Sequence, residues 1–170
     1  YLGERMRSDD YGTHSRSNGS ASISTSADLE KVFMELVGRY DSSSDFDDEW
    51  SYHAGLAWKV MDHVQIKANA GTGYLLPDMG KLYVPSSSFF IFVPNPDLEP
   101  ERSFSWDLGP TVTMNTCGFS ANYFFTSYRD LIKADYPTEG SFTYINVNKA
   151  QSSGLEANAW VAPVSVCKLS

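Results

Sequence analysis

Apolar and polar residues alternate one by one along much of this chain. Between residues 50 and 60, Trp50, Tyr52, Ala54, Leu56, Trp58 and Val60 are interleaved with Ser51, His53, Gly55, Ala57 and Lys59. Successive side chains of a β-strand point to opposite faces, so this period of two predicts a strand with one apolar and one polar face. Residues 64–71 repeat the pattern, with Val64, Ile66, Ala68 and Ala70 set against Gln65, Lys67, Asn69 and Gly71. Only Met61, Asp62 and His63 separate the two runs, which predicts a tight hairpin.

A second hairpin is predicted further on. Phe104, Trp106, Leu108, Pro110, Val112 and Met114 alternate with small and polar residues. After a turn at 115–118, Phe119, Ala121, Tyr123 and Phe125 do the same. Pro110 has no N–H for the ladder, so a bulge is expected there. Residues 1–8 and 20–27 read as one strand pair, and 32–41 as a strand with Met34, Leu36 and Tyr40 on one face. Leu155, Ala157, Ala159 and Val161 alternate with Gly154, Glu156, Asn158 and Trp160, and Ala162-Pro163 turns the chain into a last partial strand. The total is about nine strands by their period.

The connections alternate as well. Short turns at 28–31, 61–63, 115–118 and 162–163 interleave with long links at 9–19, 42–48, 74–101 and 134–141. Long connections at one end and short ones at the other are the plan of an outer-membrane barrel, with its periplasmic turns and extracellular loops. Trp50 and Tyr52 open a strand and Trp58 closes it on the same face, as aromatic girdles at two membrane interfaces would require. Lys, Gln, Asn and Asp recur on the opposite face, which suits a wet lumen. The fold class read from this pattern is all-β, an antiparallel transmembrane β-barrel segment.

Composition changes this picture little. The chain has 170 residues, enough for one domain, and no run approaches the roughly 18 apolar residues of a membrane helix. It starts at Tyr1 with no signal-peptide pattern, so a fragment or processed chain is expected. A net charge of −8 argues against nucleic acid as a partner. The acidic stretch from Asp41 to Glu49 matches no calcium-loop spacing and reads as solvated loop charge. Cys117 and Cys167 make no disulfide framework.

Catalytic chemistry is not evident. His14, His53 and His63 are far apart and form no metal-ligand spacing. Gly71-Thr72-Gly73 leads into Leu75, Leu76 and Pro77 rather than into a helix, so it is no nucleotide fingerprint. Glu35, Asp41, Asp107 and Glu156 share the polar face, where Arg39 and Lys67 are available to pair with them. No catalytic residue, metal or cofactor is expected.

Residues 71–101 resemble a specific family. The segments Gly71-Thr72-Gly73-Tyr74-Leu75-Leu76-Pro77, Leu82-Tyr83 and Asn95-Pro96-Asp97-Leu98-Glu99-Pro100-Glu101 look like the strand end, Leu-Tyr pair and closing loop of TonB-dependent outer-membrane receptors. Ser103, Trp106, Asp107, Leu108 and Gly109 look like that family's next strand, and Gly38-Arg39-Tyr40-Asp41 like an earlier strand end. Tyr144, Asn146, Ala150, Gly154, Leu155 and Glu156 look like a later segment of it. Leu75 and Leu76 stand where the family has Arg-Ala. Heme-specific members resemble this pattern but carry a histidine between the two motifs, and residues 74–95 hold none.

The resemblance makes Tyr74, Pro77, Leu82, Tyr83, Asn95, Pro96, Asp97, Leu98, Pro100 and Glu101 the family motif. Pro96 and Pro100 are expected to hold the loop extended, and Asn95 or Asp97 to bond back to local amides. Residues 1–170 then read as part of a barrel of about 22 strands, with the plug domain lying outside this chain. The resemblance implies an integral protein of the bacterial outer membrane, in contact with outer-membrane lipid and lipopolysaccharide. It implies TonB as a partner through the plug, and a small-molecule ligand such as a siderophore or cobalamin. Phe89, Phe90 and Phe92, beside Ile91 in the long loop, are the candidate ligand contacts. Two other classes fit the alternation: a passive porin-like channel and a soluble β-sandwich for binding or adhesion.

Overall fold

A computed structural model describes residues 2–8, 12–83 and 91–162. Its wall is an eight-stranded antiparallel sheet. In spatial order the strands are β1 (Leu2–Ser8), β2 (Gly12–Leu29), β3 (Val32–Ser43), β4 (Glu49–Met61), β5 (Val64–Leu75), β7 (Glu101–Thr113), β8 (Cys117–Arg129) and β11 (Ala150–Val161). The wall strands other than β1 have 12 to 18 residues, more than the roughly 9–11 needed to cross a bilayer at a tilt. The long connections carry the rest: a five-residue helix α1 (Met79–Tyr83), and a separate three-stranded sheet of β6 (Ile91–Val93), β9 (Leu131–Thr138) and β10 (Ser141–Val147). No described helix is long and apolar enough to span a membrane.

The pairing register explains the faces. Leu36 lies opposite Ala54, which lies opposite Ala70, which lies opposite Trp106, which lies opposite Phe125. One apolar row therefore runs across five strands. Other residues of the same face stay open to solvent with Leu36: Leu36 is 57% exposed, Ile23 76% and Leu155 73%. A sandwich would bury this row under a second sheet. Here nothing among the described residues covers it. The opposite face brings Asn69 to Asp107 by a 3.0 Å hydrogen bond, and Arg39 forks onto Asp41 at 2.7 and 2.8 Å. Arg39 pairs as expected, whereas Asp107 takes Asn69 as its partner.

Several expectations need correcting. Eleven strands are described rather than about nine. Residues 2–8 pair with 12–18, not with 20–27, which pair with β3. Most of the expected link 9–19 is therefore strand. The expected link 134–141 is the β9–β10 hairpin, turned at Gly140, where a φ of 81° suits glycine. No register shift occurs at Pro110. Leu108↔Tyr123 and Thr111↔Ser120 keep one register, and the β7–β8 ladder simply lapses at 109 and 110. The turns at Glu30-Lys31 and Asp62-His63 are as tight as expected. The partial strand expected after Pro163 lies outside the described residues, as does Cys167.

Buried hydrophobic packing sits in the loops and not in the wall. Met79, Leu82, Phe92 and Leu98 are the buried apolar side chains among the described residues, and Pro77 is fully covered beside them. Burying Leu82 and Leu98 contributes about 1.5–3 kcal/mol each. This small core fixes the loops over the mouth of the wall.

Candidate functional site

The motif residues assemble at the long-loop end. Asp78 starts α1, its carboxylate accepting from Gly80 N at 2.7 Å and its carbonyl from Lys81 and Leu82 N. The helix then drops Met79 and Leu82 into the loop core. Tyr83 leaves α1 stacked on His14 of β2, with rings 3.8 Å apart and 2° from parallel. His14 thus packs on the Tyr83 ring of the Leu82-Tyr83 pair from a distant strand.

The closing loop is held by amides. Asn95 Oδ1 accepts from Asp97 N at 3.0 Å, an Asx turn. Asn95 Nδ2 donates to Tyr144 O at 2.9 Å. Leu98 is buried and Pro100 is covered, while Pro96 and Asp97 remain exposed. Asn146 then grips the segment: its Oδ1 accepts from Glu99 N and its Nδ2 donates to Glu99 O, both at 2.9 Å, and Nδ2 also donates to Asp130 O at 2.6 Å. Glu101 opens β7 and accepts from Ile132 N at 3.1 Å. The conspicuous motif is thus the clasp between one long loop and the β9–β10 hairpin.

Phe92 lies in that clasp. It is 7% exposed and packs on Phe142 and Tyr144, with ring centroids 5.1 and 5.6 Å away. Lys81 Nζ sits 4.7 Å over the Tyr144 ring. The Phe92 ring is therefore spent on loop packing. Phe89 and Phe90 lie outside the described residues. Ile91 and Val93 flank Phe92 on the exposed face of β6.

Between β2, β3, the end of β5 and the start of α1 is a cavity of about 590 Å³, lined by Arg16, Asn18, Arg39, Asp41, Tyr74 and Lys81 among others. Arg16 is 3% exposed. Its Nε donates to Asp45 at 3.2 Å, its Nη1 to Pro77 O at 2.8 Å, and its guanidinium lies 5.2 Å from the Phe46 ring centroid. Arg16 Nη2, Asn18 Oδ1 and Tyr74 Oη are buried with no hydrogen-bond partner. Sequence reasoning singled out Tyr74 through the motif but not Arg16 or Asn18, because residues 12–19 are polar on both faces and read as a link.

Further round the mouth, Arg102 donates twice to Glu49 Oε2, at 3.0 and 3.1 Å. In the β3–β4 loop, Asp48 accepts from the Tyr40 hydroxyl. That bond, with one from Ser42, holds the Asp48 carboxyl below the usual carboxylate range. No group of His, Cys, Asp and Glu among the described residues is arranged to hold a metal ion.

Known proteins resemble this chain over most of its length. Residues 3–166 match the family described as TonB dependent receptor-like, beta-barrel. The vitamin B12 transporter BtuB of Photobacterium profundum is 26% identical over 149 residues, covering 81% of this chain and 23% of the relative. The hemoglobin and hemoglobin-haptoglobin-binding protein of Haemophilus ducreyi is 29% identical over 124 residues, covering 64% of this chain and 13% of that protein. The chain thus spans less than a quarter of these relatives. In fold it is similar to the siderophore receptor PirA of Pseudomonas aeruginosa, with a TM-score of 0.79, 20% identity, and coverage of 91% of this chain and 30% of that one. The hemophore receptor HasR of Serratia marcescens, solved with its hemophore HasA and heme, gives a TM-score of 0.74 at 17% identity, with coverage of 88% and 32%.

Proposed function

This chain belongs to the TonB-dependent receptor-like β-barrel family, and from that membership we propose that it is part of a receptor that takes up a scarce, large nutrient across the outer membrane, with energy supplied through TonB. The wall is an integral outer-membrane β-barrel segment, in keeping with the family and its relatives. The observation that carries the uptake reading is the one-sided build of the molecule. Every long connection, the loop core and the polar cavity lie at one end, above strands that present an apolar face outward. Such a mouth binds from outside and hands its ligand down the lumen. A siderophore, cobalamin or similar nutrient has the size for it, and the similar proteins include a vitamin B12 transporter and a siderophore receptor. TonB would act through a plug domain encoded beyond this chain.

The test is uptake by cells carrying or lacking the complete gene, supplied in turn with iron-loaded siderophores, cobalamin and heme as the limiting nutrient. The expected result is that one of these is taken up only when both the gene and TonB are intact. Uptake that persists without TonB points to a passive channel and overturns the energised reading.

A further inference from the structure

We propose that the wall binds one phosphorylated lipid of the outer leaflet, with the headgroup phosphate on Arg129 and Arg102 and an acyl chain in the furrow below them. The proposal uses the outer-membrane placement of the wall and does not depend on uptake or on TonB. It starts from an arrangement of charge. Arg102 of β7 and Arg129 of β8 lie directly opposite each other in the register, and like charges so placed destabilise a strand pair. Glu49 answers only one of them. It accepts from Arg102 Nε and Nη2, leaving Nη1 unused. Arg129 is exposed and has no hydrogen-bond or ion-pair partner among the described residues. Asp130 follows it in sequence but does not line the cavity that the two arginines share. Two guanidinium groups against one carboxylate leave a local positive surplus in a chain whose net charge is −8.

The surroundings specify what that charge meets. Both arginines line a cavity of about 390 Å³ together with Trp50, Tyr52, Phe104 and Ser127. The three aromatic rings are exposed and, by the alternation of their strands, share the face of Ala54 and Trp106. Trp50 and Tyr52 stack at 6.4 Å, 9° from parallel. Such rings at a strand end mark the height of the lipid headgroups, and the long-loop end faces the cell exterior. Tyr52, Thr72 and Phe104 also border a second cavity of about 440 Å³, with Ile23 and Leu36. Leu36, Ala54 and Ala70 continue from there into a third of about 500 Å³, with Met34 and Leu56. The shared walls make one furrow, running from the arginines down the apolar face toward the short turns. A free anion would use the arginines and ignore the furrow. A hydrocarbon chain would do the reverse. A lipid with a phosphate on its head uses both, and the planar guanidinium fork suits a phosphate better than an ammonium does.

The probes are lipid A carrying its phosphates and the same lipid A stripped of them, each titrated into the full-length protein in detergent, with bound lipid counted by native mass spectrometry. Wild type, Arg129→Gln, Ala70→Phe and the lumen-face control Lys59→Gln are compared, and retained folding is checked by the heat-dependent shift in gel mobility. Wild type and Lys59→Gln should prefer the phosphorylated lipid at least about tenfold, as one charge-assisted hydrogen bond would give. Arg129→Gln should lose that preference while binding the stripped lipid as wild type does. Ala70→Phe fills the furrow and should weaken both lipids at least roughly threefold, through lost apolar contact. No phosphate preference in wild type, or a preference that survives in Arg129→Gln, overturns the site. Displacement of lipid A by sodium phosphate, together with indifference to Ala70→Phe, reveals an anion site without a lipid and overturns the proposal as well. TonB-dependent uptake by a protein that shows no phosphate preference overturns this site alone and leaves the energised reading standing.

Discussion

Arg16 on β2 donates through Nη1 to the carbonyl of Pro77, 61 residues away, at 2.8 Å. This one bond ties the wall to the start of the helix that carries Met79 and Leu82 into the loop core. Its geometry depends on Asp45, which accepts from the Nε of the same guanidinium at 3.2 Å. Asp45→Ala leaves a buried cation with one fewer partner, at a cost of about 1–3 kcal/mol. Amide hydrogen exchange should then speed up at residues 78–83 while β7 and β8 stay protected. Unchanged exchange in α1 would show that the loop core holds the helix without Arg16.

Asn146 makes three hydrogen bonds to two backbone segments, at Glu99 and Asp130. At about 1 kcal/mol each, Asn146→Ala should loosen the clasp by roughly 3 kcal/mol. Protease cleavage within 95–100 should rise strongly while the wall remains heat-modifiable. Asn146→Asp should be no better, because a carboxylate would face the carbonyls of Glu99 and Asp130.

Gly109 and Gly118 look alike in sequence but should respond differently. A Cβ at Gly109 would come 2.0 Å from the carbonyl oxygen of Ala121, which is backbone of the neighbouring strand. At Gly118 the nearest atoms belong to the ring of Trp160, itself 43% exposed and able to turn away. Gly109→Ala should therefore destabilise the β7–β8 pair by about 1–3 kcal/mol or more, as overpacking does. Gly118→Ala should cost clearly less, as read from unfolding midpoints in denaturant.

The two faces of β5 should sort a charge. Ala68 shares the outward face with Leu56 and Leu108, its partners on either side, while Asn69 faces Asp107. Ala68→Arg should destabilise the folded barrel by about 2–4 kcal/mol if it lies near the bilayer midplane. Asn69→Arg should be tolerated, and an ion pair with Asp107 should form. Equal penalties at both positions would contradict the assigned outward face.

Asp48 supplies a pH dependence with a definite sign. Its folded pKa is lowered by bonds from Tyr40 and Ser42, so the stability it contributes is present above the ordinary carboxylate pKa of about 3.9. That stability is lost only as pH falls through the lowered folded value. The β3–β4 loop should therefore stay tethered at mildly acid pH and release below the normal carboxylate range. Trp50 reports on this, since its ring lies 5.0 Å from that of Tyr40. In Tyr40→Phe the acid transition in Trp50 fluorescence should move to higher pH.

How much was legible beforehand depended on where each residue meets its solvent. The hairpin of β4 and β5 could be read because Leu56, Ala68 and their neighbours face outward while Lys67 and Asn69 face the lumen. Period two is a contrast between two media. Residues 12–19 are equally well-formed strand, but they are polar on both faces, so the contrast vanishes and they read as a link. The β9–β10 hairpin was missed for the same reason, with Lys133 and Asp135 alternating against nothing consistent. Pro110 was expected to force a bulge, yet an extended strand accommodates proline's φ, and the register on both sides is unbroken. Within the site, Leu98 and Asn95 were visible through the motif they share with a family. Arg16 was not, because its importance comes from Pro77, Asp45 and Tyr74, which no local spacing connects to it.

Strands β8 and β11 pair directly, from Ala150↔Tyr128 down to Val161↔Cys117, although a whole hairpin lies between them in sequence. Likewise β5 pairs with β7 across the helix and β6. The wall runs unbroken beneath its loops and owes them none of its hydrogen-bonded ladder. Insertions, deletions or wholesale replacement at 76–100 and 130–149 can therefore accumulate without disturbing the scaffold. The outer face of such a molecule is free to diverge while the ladder beneath it is inherited intact.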